Sequence, residues 1–502
     1  MSNPPTDVTK MEKYFEQFRQ NIIGLDTTID TPYGKNMPVI YADWTASGRN
    51  YAPIEKRLSE KFMPFVANTH TETNSTGMAM TYAYAKAKNI IKTHVNASSD
   101  DVLISCGSGM TGVINKFQRI LGFRIHEKFK NSIAITPSEK PIVFVTHMEH
   151  HSNQTSWLET IADVVVVEPN KEGLVCLTKF KDTISQYSDR TFKIAAITSC
   201  SNVTGLMTNY HEIAKCMHQV GGFCFVDFAC SAPYVDINMH PAEEEERLDA
   251  IYFSPHKFLG GPGTTGILIF NKKLYNNTVP DHPGGGTVDF TNPWGGHKFV
   301  DDIEAREDGG TPAFLQTMKV ALCINLKDQM GVSNILKREE ELLKIIWERL
   351  KPIKNLHILA SEHTERLGVV SFYIDHLHYN VGVKMLNDRF GIQTRGGCSC
   401  AGTYGHYLLN VDSEGSDAIT SKIAAGDCSM KPGWIRMSIH PTMTNAEINK
   451  ILDGIIALAK NFYTWIRDYQ IDHSRSSIVH KDEENSEYLK QKMDDLLVMS
   501  LS

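Results

Sequence analysis

The stretch LDAIYFSPHKFLGGPGTTGILIF, residues 248–270, joins two apolar runs through a polar connection that is rich in glycine. Both runs are almost continuously hydrophobic, which is typical of strands buried on both faces of a sheet. Lys257 follows the first run, directly after His256. The stretch therefore predicts two buried strands with a polar segment between them.

Five further apolar runs precede this stretch. They are DDVLIS (100–105), PIVFVT (141–146), DVVVVE (163–168), KIAAIT (193–198) and GGFCFVD (221–227). Amphipathic stretches such as NYHEIAKCMHQV, residues 209–220, separate several of them. Strands that alternate with helices indicate an α/β fold, here with a mostly parallel, seven-stranded sheet.

The composition limits the classes of partner and compartment. A net charge of −7 over 502 residues gives no reason to expect nucleic acid or an anionic membrane as the main partner. No apolar run reaches the roughly 18 residues of a spanning helix, and the N-terminal residues lack the apolar region of a signal peptide. The ten cysteines are scattered, several within apolar runs. That usage is typical of a reducing compartment, so we expect a cytoplasmic protein.

Polar and small residues follow five of the predicted strands. In α/β sheets, ligands bind beyond the carboxyl ends of the strands. The segments at these positions are CGSGMTG (106–112), HMEHHSN (147–153), SCSNVTG (199–205), DFACSAP (227–233) and SPHKFLGGPGTTG (254–266). They predict a polar site on a hydrophobic scaffold.

Lys257 and Asp227 are the residues of this edge with the most specific chemistry. A lysine at a strand end would be partly desolvated, which lowers its pKa and suits a Schiff base. A lysine in a turn that reaches water is the alternative. An aspartate at a strand end suits the nitrogen of a pyridinium ring, or equally the N-cap of a helix. A Walker loop is excluded, since no Lys-Ser or Lys-Thr follows the glycines.

Two of the other segments favour an organic cofactor over a metal. The turn at 106–112 precedes a predicted helix, so its amides and the hydroxyls of Ser108 and Thr111 can hold a phosphate, although such turns also occur without one. The segment at 147–153 does not match the zinc patterns H-E-x-x-H and H-x-x-E-H. We therefore predict no metal, and expect His150 or His151 to lie on an aromatic cofactor.

GIQTRGGCSCAGTYGH, residues 391–406, places Arg395 close to Cys398 and Cys400. The two thiols could be a redox pair, half a metal site or a nucleophile with a neighbour, or they could be incidental to a tight turn. No second pair of Cys or His at suitable spacing lies nearby, which disfavours a metal. A thiolate next to a permanent cation on a mobile Gly-Gly turn has the properties of a nucleophile.

Taken together, the motifs resemble those of the fold-type I pyridoxal-phosphate enzymes of aminotransferase class V. Their order is a small-residue turn, EHH-S-N, S-N-V-x-G, V-D-x-A, S-x-H-K and a late R-x-G-x-x-C. Within that class, the sequence is most similar to cysteine desulfurases and selenocysteine lyases of the second, sulfur-mobilising type. The resemblance covers roughly residues 38–465.

The resemblance implies pyridoxal 5′-phosphate as the cofactor and gives roles to the residues at the sheet edge. Lys257 would bind the cofactor covalently, Asp227 would pair with its ring nitrogen, and His150 would stack on its ring. The remaining cofactor-binding residues would be Ser108, Gly109, Met110, Thr111, Asn202, Ser254 and His256. Thr311 of DGGTP would reach the phosphate of a neighbouring subunit, which implies a homodimer.

The resemblance also implies the reaction. L-cysteine would lose its sulfur to the nucleophile, leaving L-alanine and an enzyme persulfide. Counting from Arg395 in R-x-G-x-x-C gives Cys400 as that nucleophile, while Cys398 has no counterpart. Arg436 of WIRMSIHP would bind the substrate carboxylate, with Arg395 and His70 also near the substrate. A sulfur-acceptor protein would be a further partner.

Two other readings remain open, and three features depart from the family pattern. The chain could instead be a class V aminotransferase or another amino-acid lyase, such as a selenocysteine lyase, or a non-catalytic sulfur-carrier scaffold. Cys230 occupies the position of a glutamine that contacts the cofactor, and Gly112 that of a common glutamate. The segment at 404–433 is unusually long.

These features predict four regions. Residues 1–40 form a segment that packs on the small domain, and residues 41–305 form the large cofactor-binding domain. Residues 306–470 contain a linking helix and a smaller α+β domain. The polar tail, residues 471–502, is expected to be solvated or to form a packing helix.

Overall fold

The computed structural model describes residues 9–69, 71–472, 477–482 and 485–499, apart from the side chains of residues 131 and 485–487. The strands are β1 Thr28–Thr31, β2 Gly34–Pro38, β3 Ile40–Tyr41, β4 Asp101–Cys106, β5 Ile142–Thr146, β6 Asp163–Val167, β7 Lys193–Thr198, β8 Phe223–Asp227, β9 Ala250–Phe253, β10 Gly266–Asn271, β11 Val288–Thr291, β12 His297–Phe299, β13 Leu356–Ile358, β14 Val369–Ile374, β15 Ile392–Gln393, β16 Arg395–Gly397, β17 Trp434–Ser438, β18 Tyr469–Asp472 and β19 Ser477–His480.

The α-helices are α1 Lys10–Arg19, α2 Ala52–Arg57, α3 Ser75–His94, α4 Met110–Ile120, α5 His151–Leu158, α6 Leu177–Ser185, α7 Tyr210–His218, α8 Ile303–Glu307, α9 Phe314–Met330, α10 Val332–Leu350, α11 Tyr379–Phe390, α12 Gly402–Leu408, α13 Ser413–Ala424, α14 Asn445–Trp465 and α15 Asn485–Leu497. Shorter helical turns are Leu58–Phe62, Met63–Phe65, Glu127–Ser132, Glu244–Glu246, Pro255–Lys257, Lys272–Leu274 and Ile466–Asp468. Among the residues that the structure describes, no helix is both long and apolar enough to cross a bilayer.

The described chain divides into two compact units. The large unit contains residues 17–23 and 45–337, and the small unit contains residues 24–44, the N-terminal residues before 17 and the described residues from 338 onward. Residues 306–337, which the sequence predicts in the small domain, belong to the large unit. The reason is that Phe314 and Met318 of α9 share an apolar cluster with Met80 of α3.

The large unit is built around the predicted sheet. Within the described residues, this sheet has seven strands in the order β4-β10-β9-β8-β7-β5-β6, which confirms the prediction of a mostly parallel sheet. Only β10 of these strands is antiparallel to its neighbours, β4 and β9. The chain enters β10 from β9 without a crossover helix, and a parallel neighbour would normally need one.

Helix α4 packs on this sheet through its aromatic side chain. The ring of Phe117 lies 5.1 Å from that of Phe225 and 5.0 Å from that of Phe270, measured between centroids. All three side chains are fully buried. This packing holds the first turn of α4, which begins at Met110, at the carboxyl end of β4.

The small unit has an antiparallel sheet in the order β13-β14-β17-β16. Helix α11 lies close to this sheet, because a Cβ at Gly382 would come within 2.5 Å of Ile435 Cδ1. β3 pairs in parallel with β15. The nucleophile candidate follows β16, and the carboxylate-binding candidate lies in β17.

The region beyond residue 468 is more ordered than the composition of the tail suggests. β18 and β19 pair as an antiparallel hairpin. Tyr33 anchors this hairpin within the small unit, since its hydroxyl donates to Asp468, the residue before β18, over 2.9 Å and lies 3.0 Å from His480 Nε2. In α15, by contrast, Leu496 and Leu497 are 70% and 83% exposed.

Candidate active site

The predicted polar segments meet at one edge of the large sheet. β4, β5, β7, β8 and β9 all end at this edge, and β10 begins there because it runs the other way. Residues 254–265, which connect β9 to β10, therefore lie beside the turn that follows β4.

That turn is fastened directly to the 254–265 connection. The amide of Met110 donates to Ser254 Oγ over 2.8 Å. Thr265 Oγ1 donates to the carbonyl of Gly107 over 3.0 Å, and Gly107 has a φ of +62°, a conformation that favours glycine. The sequence motifs at 106–112 and 254–266 therefore build a single structure.

Gly109 makes this structure a cradle for a compact group. A Cβ at position 109 would lie 3.0 Å from Ser254 Oγ and 3.3 Å from the His256 ring. A Cβ at Gly266 would in turn lie 2.4 Å from the Gly109 carbonyl oxygen. The space at the start of α4 is therefore kept free of side chains at positions 109 and 266. A phosphate needs such a space, because backbone amides and hydroxyls must reach its oxygens.

A cavity of about 560 Å³ opens beside this cradle. Its walls are formed by Ser47, Gly107, Ser108, His256, Pro262, Gly263, Thr264, Ala313 and Gln316. Two of the predicted phosphate ligands, Ser108 and His256, thus face one space. Thr111 is exposed, and its hydroxyl is 2.7 Å from that of Ser152.

Asp227 ends β8 as a buried carboxylate. It is 3% exposed, and the Ala229 amide donates to its Oδ1 over 2.8 Å. Burial raises the pKa of the Asp227 carboxyl to about 6, although the Ala229 amide and the Lys257 charge oppose that rise. An anion at this position gains from a cationic partner, and the protonated ring nitrogen of a pyridine is such a partner.

Lys257 lies in the helical turn Pro255–Lys257 and is half-buried. Its neighbour His256 is neutral, because burial and the Lys257 charge lower the pKa of the His256 ring to about 4. The Gly48 amide donates to the His256 carbonyl over 2.9 Å and holds the turn in place. A neutral imidazole beside a lysine can donate to a phosphate without adding a second positive charge.

His150 caps helix α5. Its Nδ1 accepts from the Ser152 amide over 3.1 Å, which fixes the plane of the ring. Asn202 is also buried, at 7% exposure, within the turn that follows β7. These two positions fit the ring-stacking and cofactor-facing roles that the resemblance implies.

Glu149 is a residue of this site that the sequence analysis did not single out. It is fully buried and accepts from Thr146 Oγ1 over 2.6 Å, Asn153 Nδ2 over 2.7 Å and the Thr198 amide over 2.9 Å. Burial raises the pKa of its carboxyl to about 7. Glu149 joins the ends of β5 and β7 directly before His150, and its place in the polar segment after β5 was the available signal.

Cys230, which replaces the expected glutamine, is buried behind Asp227. Its thiol is 5% exposed and donates to the Ser201 carbonyl over 3.7 Å. A thiol is a weak donor compared with an amide. Position 230 thus differs chemically from the family pattern.

In the small unit, Cys400 lies beside a guanidinium. Arg395 Nη2 donates to Cys400 Sγ over 3.4 Å. The backbone around the thiol is a tight turn, in which the Ala401 amide donates to the Cys398 carbonyl over 2.9 Å. Ser399 and Cys400 both have positive φ, of 52° and 58°. Non-glycine residues rarely adopt this conformation, at a cost of about 1–3 kcal/mol each.

A buried tryptophan stabilises this turn through a hydrogen bond. Trp434 Nε1 donates to Ser399 Oγ over 3.1 Å, and both side chains are buried. The expected Gly-Gly turn was wrong, because Gly396 and Gly397 form part of strand β16. Glycine is favoured at position 396, since a Cβ there would lie 2.7 Å from Asn380 Oδ1 and 3.1 Å from Tyr379 Cδ2.

Arg436 lies in β17 and is 1% exposed. Its Nη2 donates to Asp43 Oδ1 over 2.6 Å. Asp43 was not recognised in the sequence, because the two residues are 393 positions apart. Arg436 is also the register partner of Arg395. Two guanidinium groups thus come from neighbouring strands. The N–H donors of a guanidinium form a planar fork that suits the two oxygens of a carboxylate.

Thr311, a predicted cofactor-binding residue, belongs to neither cluster. Thr311 is exposed, and the segment that carries it is anchored at Asp308, which accepts from Tyr84 and Lys88 over 2.9 Å each. His70 lies outside the described residues. Within the described part of the chain, no group of three or more His, Cys, Asp or Glu side chains is placed to hold a metal ion.

Comparisons with known proteins agree on one family and fold. The family model described as aminotransferase class V matches residues 40–451. Probable cysteine desulfurases of Halalkalibacterium halodurans and Staphylococcus epidermidis are each 28% identical, over 72% and 73% of this chain and 84% of each relative.

Solved structures extend the agreement to the fold. A cysteine desulfurase of Thermococcus onnurineus superposes with a TM-score of 0.70 at 20% identity, covering 91% of this chain and 100% of that chain. The cysteine desulfurase CsdA of Escherichia coli, in its S-sulfonic acid form, gives a TM-score of 0.67 at 17% identity, covering 90% and 99%. The expected fold-type I architecture is confirmed.

Proposed function

The chain belongs to the aminotransferase class V family of pyridoxal-phosphate-dependent enzymes, and on that premise we propose that it is a cysteine desulfurase. It removes sulfur from L-cysteine, releases L-alanine and carries the sulfur as a persulfide on Cys400. The observation that carries this proposal is the 3.4 Å contact between Arg395 Nη2 and Cys400 Sγ in a tight turn. A cation beside a thiol favours the thiolate, which is the nucleophilic form.

The cradle and Asp227 support pyridoxal 5′-phosphate as the cofactor. The residues that would hold it are Ser108, Gly109, Met110, Thr111, His150, Asn202, Asp227, Ser254, His256 and Lys257. When bound, the cofactor supplies an electron sink that makes bonds at the substrate α- and β-carbons cleavable. Lys257 Nζ would hold the cofactor and would be the base for the α-proton of the substrate, while Asp227 would supply the anion that favours a protonated ring nitrogen.

Cys400 performs the transfer itself. Its thiolate forms an S–S bond with the sulfur of L-cysteine as the Cβ–S bond breaks. The electron pair of that bond stays on Cβ, which takes up a proton, and L-alanine leaves. One thiol and one cysteine thus give one persulfide and one alanine, and no external oxidant is consumed.

The guanidinium pair supports an amino-acid substrate. Arg436 binds the substrate carboxylate in a fork, and Asp43 holds its Nη2 in place beforehand. Arg395 supports the thiolate, and the resemblance adds His70 as a further substrate-binding residue. The assembly is a homodimer in which Thr311 reaches the phosphate site of the second copy. The ten free cysteines support a reducing, cytoplasmic setting, and a sulfur-acceptor protein receives the product.

Two substitutions separate cofactor binding from sulfur transfer. Lys257→Ala is expected to abolish the visible absorbance of the bound cofactor and all turnover. Cys400→Ala should keep that absorbance but lower alanine release from L-cysteine by at least about 100-fold, because the nucleophile is gone. Lys272→Ala and Cys176→Ala are the matched controls, since Lys272 is exposed and Cys176 lies outside both clusters.

The mass of the protein after one turnover gives the direct test. Incubation with L-cysteine should add the mass of one sulfur atom to the wild type and nothing to Cys400→Ala. Unchanged turnover in Cys400→Ala would rule out the persulfide, and amino transfer to a keto acid would become the leading function. L-selenocysteine, tested in parallel, distinguishes a lyase with preference for selenium.

A further inference from the structure

The strand order of the large sheet reverses between β5 and β7. β5 leads to β6 on one side of the sheet, whereas β7 leads to β8 and β9 on the other side. In α/β sheets, such a reversal opens a crevice beyond the carboxyl ends of the two strands, and ligands bind there. Glu149, to which the proposed function gives no role, joins these two strand ends.

The carboxylate of Glu149 takes the place of backbone pairing at the ends of β5 and β7. Within the described residues, the last register pair between the two strands is Phe144 with Ala195. Further toward the carboxyl ends, the amides of Thr146 and Thr198 donate to Glu149 Oε1, over 3.3 Å and 2.9 Å. A side chain therefore sets the separation of the two strand ends.

On the β5 side, Glu149 fixes the start of helix α5 and with it His150. Thr146 Oγ1 donates to Glu149 Oε1 over 2.6 Å and accepts from the Met148 amide over 3.2 Å, which closes the turn after β5. Asn153 Nδ2 donates to Glu149 Oε2 over 2.7 Å, and the Asn153 amide donates to the His150 carbonyl over 2.8 Å. The backbone of His150 is therefore held on both sides.

On the β8 side, Glu149 is linked to both neighbours of Asp227 in the sheet. Thr198 of β7 and Tyr252 of β9 are the register partners of Asp227. The Thr198 amide donates directly to Glu149. The Tyr252 hydroxyl donates over 2.6 Å to Oδ1 of Asn153, the residue whose Nδ2 donates to Glu149. Asp227 thus lies between two residues that are both fastened to Glu149.

The network that joins these residues is buried throughout. Its members are Thr146, Glu149, Asn153, Thr198 and Tyr252, all of them buried. A hydrogen bond that breaks in such surroundings leaves a buried polar group without a partner, which is unfavourable. The network therefore favours a single arrangement, and this arrangement connects His150 with Asp227.

We propose that Glu149 is a positioning residue, which holds the ring of His150 and the carboxylate of Asp227 in the relative placement that one cofactor ring needs. The inference rests on the proposed function, from which it takes the roles of these two residues. A ring stacked on His150 can direct its nitrogen at Asp227 only while the ends of β5 and β8 keep their spacing. Because Glu149 is fully buried, it acts through these residues and not by contact with the cofactor.

Two substitutions of Glu149 distinguish its hydrogen bonding from its charge. Glu149→Gln keeps an acceptor oxygen for the amides of Thr146 and Thr198, and rotation of the Asn153 amide gives the new N–H₂ group an acceptor. Its affinity for pyridoxal 5′-phosphate, titrated into the cofactor-free protein, should stay close to that of the wild type. Glu149→Leu removes both acceptor oxygens, so the affinity should fall by about tenfold or more.

Visible circular dichroism of the bound cofactor reports its placement directly. A planar chromophore gains such a signal when an asymmetric site holds it in one orientation. At saturating cofactor, the signal per bound cofactor should match the wild type in Glu149→Gln and be weaker in Glu149→Leu. A loss of stability alone leaves this signal unchanged, because it is recorded on folded, loaded protein well below the unfolding temperature.

A milder variant decides the question if Glu149→Leu does not fold. Thr146→Val removes the 2.6 Å hydrogen bond to Glu149 with little change of side-chain shape, and the circular dichroism should weaken in the same direction.

Thr160→Val is the matched control. Thr160 is buried, and its Oγ1 also donates over 2.6 Å and accepts from the amide two residues later. It precedes β6, however, and so lies at the opposite edge of the sheet. Cofactor affinity and circular dichroism should be those of the wild type. A loss equal to that of Thr146→Val would indicate general destabilisation and overturn the proposal.

The remaining outcomes separate the inference from the proposed function. A loss of signal in Glu149→Gln equal to that in Glu149→Leu would mean that Glu149 supplies charge and not placement, which overturns the proposal. An unchanged signal in Glu149→Leu, or in Thr146→Val where Glu149→Leu does not fold, overturns it as well. Both results leave the proposed function intact, since the wild type still binds the cofactor. A wild type that binds no pyridoxal 5′-phosphate would contradict the proposed function and the inference together.

Discussion

Asp227 shows how one buried residue can favour ligand binding at the expense of the ligand-free protein. Burial raises the pKa of its carboxyl from 3.8 to about 6. A carboxyl with a raised pKa favours folding only while it is protonated, and this contribution is lost as the pH rises through about 6. At neutral pH the buried carboxylate therefore lowers the free energy of unfolding of the ligand-free protein. A cationic ring nitrogen beside it would offset that loss.

Asp227→Asn should separate these two effects. After removal of the cofactor, the variant is expected to be more stable than the wild type at pH 8, by on the order of 2–3 kcal/mol. The difference should vanish near pH 4, where the wild-type carboxyl is protonated. Cofactor affinity should fall at both pH values above 6 that are tested, pH 7 and pH 8. Thermal unfolding and cofactor titration measure the two quantities.

Asp189→Asn serves as the control, since Asp189 is exposed. Its unfolding curve should follow that of the wild type across the same pH range. A variant Asp227→Asn that is less stable than the cofactor-free wild type at pH 8 would contradict the prediction.

Residues of the site could be predicted from the sequence where they follow a strand. Lys257, Asp227 and His150 lie at the end of an apolar run or a few residues after it, so the alternation of the runs indicated that they share one edge of the sheet. Asp43 and Glu149 were missed for a physical reason. Their functions depend on partners that folding brings from elsewhere, 393 residues away for Asp43 and 49 for the Thr198 amide that Glu149 accepts from.

At the scale of the element, the turn after β16 combines strain with a specific support. Ser399 and Cys400 occupy positive φ, and the hydrogen bond from Trp434 holds the first of them there. The sequence Gly-Gly-Cys-Ser-Cys predicted a turn at Gly396 and Gly397, whereas the turn lies at Ser399 and Cys400. Gly396 instead permits the close approach of Asn380 and Tyr379, contacts that local sequence does not reveal.

Ser399→Ala should loosen this turn. The substitution keeps the strained backbone but leaves the buried Trp434 N–H without its acceptor, at a cost of about 1–3 kcal/mol. Hydrogen exchange of the amides at 398–402 is expected to accelerate by about tenfold or more. Persulfide yield should fall with it, because the thiol is no longer held beside Arg395.

Ser421→Ala is the matched control, because Ser421 is exposed on α13. It should leave exchange at 398–402 unchanged. Equal exchange in Ser399→Ala and the wild type would mean that the Trp434 contact does not support the turn.

For the whole molecule, the hydrophobic runs predicted the sheet of the large unit, while the division of the chain was harder to read. Residues 306–337 look like a linker in sequence because they are helical and precede the second α+β region. Their apolar face instead joins α3 in the large unit, as Phe314 and Met80 show. A helical pattern of apolar residues predicts which side chains are buried. It does not predict which other element they pack against.

The proposed dimer can be tested by subunit mixing. Lys257→Ala and Thr311→Ala subunits each spoil a different part of the site. If Thr311 acts on the second copy, a mixed dimer contains one site with both residues intact. Random mixing should then restore about a quarter of wild-type alanine release, measured at limiting cofactor.

A double variant that carries both changes on one chain is the control for mixing. Mixed with Lys257→Ala, it should restore nothing, since no site then has an intact Lys257. Recovery that is absent in both mixtures would show that Thr311 acts within its own subunit.

The position of strand β10 in the sequence also determines when the phosphate cradle can form during translation. The phosphate cradle needs the bond from Thr265 to the Gly107 carbonyl, and these residues are 158 positions apart. At about 5–20 residues per second, a ribosome delivers the second partner roughly 10–30 s after the first. Until then β4 lacks the neighbour that β10 provides, and the cradle is incomplete. During translation, the apolar strand β4 is therefore unpaired on this edge for that period. Chaperones that bind exposed strand edges can bind β4 in that interval.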